Sequence, residues 1–287
     1  MKYCVNSYSF GRYSSADKLG IYGMIDKAAE LGFNGIEFTE AYWLDTADNE
    51  LTKIGEYVKS KGLEAVSLCV GSDLINGSDG ILDKEVARIC RMADKAKLLG
   101  VSMLRHDASS GFSGRKYSIG YADALPRLTE GCRRISAYAE TLGIKTMTEN
   151  HGYFSQDADR VEALVNSVAH RNFGVLLDLG NFMCADENPA LSVSKLVSYA
   201  FHVHAKDFLY KSGTEPFPGD GWFRTRAGNY LRGTIVGHGE AKIYQSFGIL
   251  KRAGYNGFLS LEFEGVEDNL TGISMGLENM KRLWELC

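Results

Sequence analysis

The residues best suited to chemistry stand near the ends of four predicted strands: Glu149, Asp178, His204 and Glu262. Side chains alternate along a strand, so an apolar face identifies the polar face behind it. In 257–264, Leu259, Leu261 and Phe263 form the apolar face, which leaves Phe258, Ser260, Glu262 and Glu264 on the other. In 201–206, Phe201, Val203 and Ala205 oppose His202, His204 and Lys206. In 173–179, Val175, Leu177 and Leu179 oppose Leu176 and Asp178, and 144–150 ends with Glu149 and His151 on one side. Carboxylates gathered on one buried face are costly unless a cation or a hydrogen-bond network compensates them. Three carboxylates with one imidazole suit a hard or borderline divalent ion. Mn²⁺ is the leading expectation, with Mg²⁺ or Co²⁺ beside it and Zn²⁺ less well matched. About two octahedral positions would stay open for substrate oxygens. Strand parity alone also allows a set of satisfied structural polar groups.

Positioning such a set requires a particular order of elements. A helix-like segment repeatedly ends in Gly before a short apolar strand, as at Leu31-Gly32, Lys61-Gly62, Leu99-Gly100, Leu142-Gly143 and Ala253-Gly254. Gly takes the left-handed conformation that commonly closes a helix. The predicted strands are 2–7, 34–39, 64–70, 101–106, 144–150, 173–179, 201–206 and 257–264. Helices are predicted over about 20–31, 47–61, 82–99, 119–142, 156–169, 187–198, 241–253 and 268–286. Strict β-then-α alternation calls for a parallel sheet covered by helices, and eight such units close into a (β/α)₈ TIM barrel, an α/β fold. The expectation is a single domain over 1–287, with active residues at the carboxyl ends of the strands. The stretch 208–239 reads as a long irregular loop after the seventh strand, holding two of the four prolines and seven glycines. A loop of that length is usually functional or disordered, here a lid or subunit contact on the one reading and a floppy excursion on the other.

The chain resembles the xylose isomerase-like barrels, within them the sugar phosphate isomerase/epimerase group that includes ketose 3-epimerases. The resemblance is carried by Gly35-Ile36-Glu37-Phe38, Glu149-Asn150-His151 and Leu177-Asp178-Leu179-Gly180-Asn181. It is carried further by His202-Val203-His204-Ala205-Lys206-Asp207 and Gly257-Phe258-Leu259-Ser260-Leu261-Glu262. It implies that Glu149, Asp178, His204 and Glu262 hold one divalent metal, and that Glu149 and Glu262 move protons on opposite faces of the substrate. Two departures stand out. Many members carry His where this chain has Asn181, whose amide orients a hydroxyl but relays no proton. Barrels of this kind that cut DNA at abasic sites use extra Asp and His ligands before a Gly-x-Gly turn. Here Leu231, Arg232 and Gly233 precede Gly237-His238-Gly239 instead.

The expected chemistry is divalent-metal-dependent isomerisation or epimerisation of a sugar. The ion acidifies a C–H beside a carbonyl by stabilising the enediolate, one carboxylate removes the proton, and another returns one. A lyase or dehydratase eliminating from a keto-sugar or keto-glycoside is the alternative on the same site, and a non-catalytic sugar-binding barrel is a third reading. His106, His151, Asn181, Lys206, Trp43 and Trp222 are the expected substrate contacts, with Phe112 a further loop aromatic. Arg105, Arg115, Lys116, Arg224 and Arg226 are candidates for an anionic group, without a Gly-rich phosphate loop to accompany them.

Composition narrows the class. The 287 residues are 45% hydrophobic and 24% charged, with a net charge of −4, an ordinary balance for a globular protein. Mild acidity argues against nucleic acid as a partner, and no apolar run approaches the ~20 residues that span a bilayer. Six scattered cysteines and a polar N-terminal stretch suggest a reduced, cytoplasmic setting. The partner expected is a small sugar-derived molecule, and the resemblance adds homo-oligomer formation, since family barrels often pair.

Overall fold

The computed structural model describes residues 1–114 and 119–287, so Arg115 and Lys116 lie outside the described residues. Eight parallel strands close into a barrel: β1 (Lys2–Asn6), β2 (Gly35–Thr39), β3 (Glu64–Val70), β4 (Met103–His106), β5 (Lys145–Glu149), β6 (Phe173–Asp178), β7 (Ala200–Ala205) and β11 (Phe258–Leu261). β11 pairs with β1 to close the ring, with Cys4 opposite Ser260. The helices that cover it are α1 (Gly20–Glu30), α2 (Asp48–Ser60), α3 (Leu82–Leu99), α4 (Tyr121–Thr141), α5 (Ala158–Val168), α6 (Pro189–Leu196), α7 (Ile243–Arg252) and α8 (Asn269–Leu286). This is the single-domain TIM barrel that the alternation of elements requires.

The glycines expected to stop helices do so: Gly32, Gly62, Gly100, Gly143 and Gly254 all have φ between 73° and 82°. Each lets the chain reverse into the next strand without a Cβ clash. Outward-facing strand residues such as Val175, Leu177, Val203, Leu259 and Leu261 are fully buried in the layer beneath the helices. Inside the barrel, Cys69, Met147 and Leu176 form a separate small apolar cluster, with Met103 and Phe201 packed against it. That cluster leaves the polar inward positions to the strand ends.

The stretch 208–239 is not the irregular loop expected. It contributes a three-stranded antiparallel sheet of β8 (Asp207–Lys211), β9 (Phe223–Arg224) and β10 (Tyr230–Thr234), in the order β8-β10-β9. Both prolines, Pro216 and Pro218, fall in the connection between β8 and β9, where no ladder bond needs their missing N–H. Asp207 ties the excursion back to the barrel. Its carboxylate accepts from the backbone N–H groups of Phe208, Gly237, Gly239 and Ala241 at 2.9 to 3.0 Å. Among the described residues, no helix is long and apolar enough to cross a membrane.

Candidate active site

One ligand atom from each of Glu149, Asp178, His204 and Glu262 lies within 4.8 Å of the others, and all four residues are buried. Asp178 ends β6 and is fixed by its neighbours on both sides. Asn150, just past β5, accepts from Asp178 N–H and donates to Asp178 C=O, both at 2.9 Å. Asp178 Oδ1 accepts from the backbone N–H groups of Gly180 and Asn181, each at 2.8 Å. A Cβ on Gly180 would stand 2.7 Å from the Lys206 carbonyl, so Gly lets the ends of β6 and β7 approach. Asp178 Oδ2 is left buried without a hydrogen-bond partner.

The other three side chains gather beside it, with His204 facing all three carboxylates. His204 Nδ1 stands 3.1 Å from Glu262 Oε2, 3.7 Å from Asp178 Oδ2 and 3.8 Å from Glu149 Oε1. Arg105 Nε holds Glu149 Oε2 at 2.7 Å, and Asn181 Nδ2 donates to Glu149 Oε1 at 2.9 Å. Lys206 Nζ lies 2.8 Å from Glu262 Oε2, 3.3 Å from Glu264 and 3.5 Å from Asp178 Oδ2. Each glutamate therefore has its own cation, Arg105 for one and Lys206 for the other.

Below this set lies a second buried layer centred on Glu37, at 0% exposure. Its Oε2 accepts from His204 Nε2 at 2.7 Å, Ser260 Oγ at 2.8 Å and Asn6 Nδ2 at 3.2 Å. Its Oε1 takes the Ser67 hydroxyl and the Cys69 thiol, with His202 Nε2 3.3 Å away. The Glu37 carboxyl is held well below the usual range: burial opposes ionisation, but the facing His204 and His202 overcome it. Burial would depress His204, yet Glu37 and Glu262 raise it well above the ordinary imidazole value. Burial lifts Glu149, and Arg105 and His204 only partly offset it. At Glu262 the same burial is outweighed by Lys206 and His204, so its carboxyl lies well below the usual range.

These groups open into a cavity of about 300 Å³ at the carboxyl end of the barrel, lined by Arg105, Glu149, His151, His204, Lys206, Glu262 and Glu264 among others. His151, half exposed, is 3.0 Å from Asp107 through Nδ1, and Asn181 links Glu149 to Lys206. These expected contacts are brought together. Others are not. His106 is fully buried beside Phe173, with ring centroids 6.1 Å apart. Its neighbour Arg105 takes the inward place, because alternation along β4 sends adjacent side chains to opposite faces. Trp43 packs on Phe38 and borders an adjoining cavity rather than this one. Trp222 lies over the Arg232 guanidinium, away from the carboxylates, and Phe112 packs edge-on against Phe154. Arg226 pairs with Asp157, and Arg224 lies over Tyr230. Arg105 is occupied by Glu149 and Asp107 rather than free for an anion.

Sequence reasoning gave Glu37 no role. The signal was present, since Ile36 and Phe38 form the apolar face of β2 and leave Glu37 inward. The donor set fits a divalent cation: three carboxylates and one imidazole are gathered together, and Asp178 Oδ2 is buried without a hydrogen bond.

Solved structures align over almost the whole chain. D-psicose 3-epimerase of Clostridium cellulolyticum H10 has a TM-score of 0.77 at 17% identity, covering 99% of both chains. A xylose isomerase-like TIM barrel protein of Mycobacterium smegmatis, in complex with magnesium, has a TM-score of 0.73 at 20% identity, covering 99% of this chain and 96% of the other. The probable 3-DHS dehydratase of Bacillus anthracis has a TM-score of 0.70 at 20% identity, covering 99% and 98%. At such identities the likeness is one of fold. A search of curated proteins by sequence finds no match. The family model described as xylose isomerase-like TIM barrel matches residues 25–283, and the chain belongs to that family.

Proposed function

We propose that this protein is a divalent-metal-dependent sugar isomerase or epimerase in which Glu149 and Glu262 are the acid and base. The observation that carries the reading is the gathering of buried Glu149, Asp178, His204 and Glu262 ligand atoms within 4.8 Å of one another, with Asp178 Oδ2 accepting no hydrogen bond. Those four residues would hold the ion, with Mn²⁺ the first choice. When bound, the ion supplies electrostatic stabilisation of the oxyanion that forms when a proton leaves the carbon beside a carbonyl.

The protein's own groups account for the rest. One glutamate takes the proton from carbon, the C–H electron pair passes into the enediolate, and the other glutamate delivers a proton to the opposite face. Arg105 and Asn181 hold Glu149 from two sides, and Lys206 holds Glu262, so neither carboxylate turns away from the cavity. His151, half exposed on the cavity, would orient a substrate hydroxyl, and Asn181 would do so on exchanging its bond to Lys206 for one to the substrate. Elimination from a keto-sugar is the second reading, because Lys206, an almost fully buried ammonium beside Glu262, would stabilise the negative charge on a departing β-substituent. Support for an enzyme of sugars also comes from the structural neighbours named as 3-epimerases and a dehydratase.

Elemental analysis beside the His204→Ala variant tests the site. About one divalent ion per chain, lost in the variant, is expected. Turnover of ketoses in deuterated water should then place deuterium at one carbon of a product of unchanged composition. Absence of metal, together with no thermal stabilisation by added divalent ions, would overturn the reading.

A further inference from the structure

The carboxylate cavity is not the larger opening at this end of the barrel. A recess of about 500 Å³ adjoins it, and Tyr8, Thr39 and Glu264 border both spaces. The recess lies over the turns that follow β1, β2 and β11. Tyr8, half exposed, gives it an accessible aromatic face, with Met24, Trp43 and Phe263 packed beneath. Ser14, Ser15 and Asn269 add hydroxyl and amide groups around it. No Lys or Arg lines it among the described residues, while the carboxylates of Glu40 and Glu264 do.

These features select a ligand. A space of about 300 Å³ lies at the small end of the range for small-molecule sites and suits one sugar ring over Glu149 and Glu262. A substrate of that size leaves the recess unused. An apolar lining beside hydroxyl donors matches a second ring, apolar on its faces and polar at its edge. Glu40 and Glu264, the latter sharing Lys206 with Glu262 and Asp178, leave the recess acidic and repel a phosphate or carboxylate group. Arg105 and Lys206, the cations of the adjoining cavity, are already engaged by carboxylates.

We infer that the substrate is a keto-sugar carrying a neutral glycosyl substituent, its reacting ring over Glu149 and Glu262 and its second ring in the recess beyond Tyr8. This rests on the proposed sugar chemistry for the reacting ring, and names the substrate class within it.

Binding is the readout, measured calorimetrically on the full wild-type chain in manganese chloride buffer, each ligand brought to equilibrium with any product before titration. The probes are D-fructose, its neutral glycosides turanose, lactulose and isomaltulose, and D-fructose 6-phosphate. At least one disaccharide should bind ten times more tightly than D-fructose and more tightly than the phosphate. Adding Ser15→Trp, which projects an indole into the recess from an exposed position, should weaken that disaccharide at least ten times more than it weakens D-fructose. Ser15→Phe provides a second filling variant. No gain for any disaccharide, including no binding at all, would overturn the inference, as would tightest binding of the phosphate or an equal loss of both ligands on filling the recess. Deuterium exchange on D-fructose without a disaccharide gain would sink the two-ring substrate and leave the isomerase reading standing. A disaccharide gain lost on filling, with no exchange on any wild-type substrate, would support the recess and sink the isomerase reading.

Discussion

Glu37 Oε2 lies 2.7 Å from His204 Nε2, while the opposite ring nitrogen of His204 faces Glu262 at 3.1 Å. A carboxylate that accepts the Nε2 proton fixes the ring's orientation and presents Nδ1, the nitrogen that would meet the ion, to the other three acidic groups. Glu37 is thus a positioning residue: it acts through His204 from the layer below. Glu37→Gln keeps the shape but removes the charge. Its affinity for Mn²⁺, read by competition with a chelator, should fall by about 10–100-fold, with circular dichroism unchanged. Unaltered affinity would mean that Ser260 and Asn6 hold the network without the charge.

Glu149 and Glu262 reach the cavity from β5 and from just beyond β11, each braced by a different cation. Glu149→Gln and Glu262→Gln should each lower kcat by about 10²–10⁴-fold, because an amide neither takes nor returns a proton. Deuterium wash-in under single-turnover conditions separates the two roles, since only the residue that removes the proton is needed for the first exchange. Retention of more than a tenth of the activity in either variant would eliminate the two-carboxylate mechanism.

The barrel itself was legible in the sequence because both of its signals are local. Helix-stopping glycines such as Gly100 and the period-two alternation of Leu259, Leu261 and Phe263 need no knowledge of distant contacts. The same alternation brought Glu149, Asp178, His204 and Glu262 to one face, as the structure has them. His106 was misjudged because its place at a strand end outweighed its parity with Leu104. That Arg105 is a candidate for an anionic group is legible, but that the group is Glu149 is not, because the two come from separate strands. The sheet within 208–239 escaped notice because prolines and glycines dominate the composition of the stretch. The pairing of Arg232 with Leu209 is a tertiary register that composition does not reveal. Trp43 and Trp222 could be assigned to loops, but their packing on Phe38 and Arg232 depends on how those loops fold back.

Asn150 shows how the backbone of one strand is locked to the next. Its side chain is fully buried and pairs with both polar backbone groups of Asp178 at 2.9 Å. In Asn150→Ala those groups lose their partners, at a cost of about 1–3 kcal/mol for a buried unsatisfied group. Urea unfolding should show the loss, and Mn²⁺ affinity should fall with it, because Asp178 is then anchored only through its own turn. A change below about 0.5 kcal/mol, the size of an ordinary surface substitution, would mean that solvent or a shifted neighbour replaces the clamp.

Asp73 anchors the turn after β3 to the chain that follows β4. Its carboxylate accepts from the N–H groups of Ile75 and Asn76 at 2.9 and 3.0 Å, and from Ser109 Oγ at 2.6 Å. The Asn76 side chain adds a further bond at 2.9 Å. Partial burial works against ionisation, but the donors from Asn76, Ser109 and Ile75 outweigh it and hold the carboxyl below its ordinary value. A group whose folded pKa is depressed stabilises the fold above its unfolded pKa, about 3.9 for Asp. That contribution disappears as pH falls through the lower folded value. Asp73→Asn should therefore reduce the melting temperature at pH 7. The gap to wild type should narrow steadily as pH drops below about 4. A gap of constant size from pH 7 down to pH 3 would show that the anchor works through its shape alone, without the ionised carboxylate.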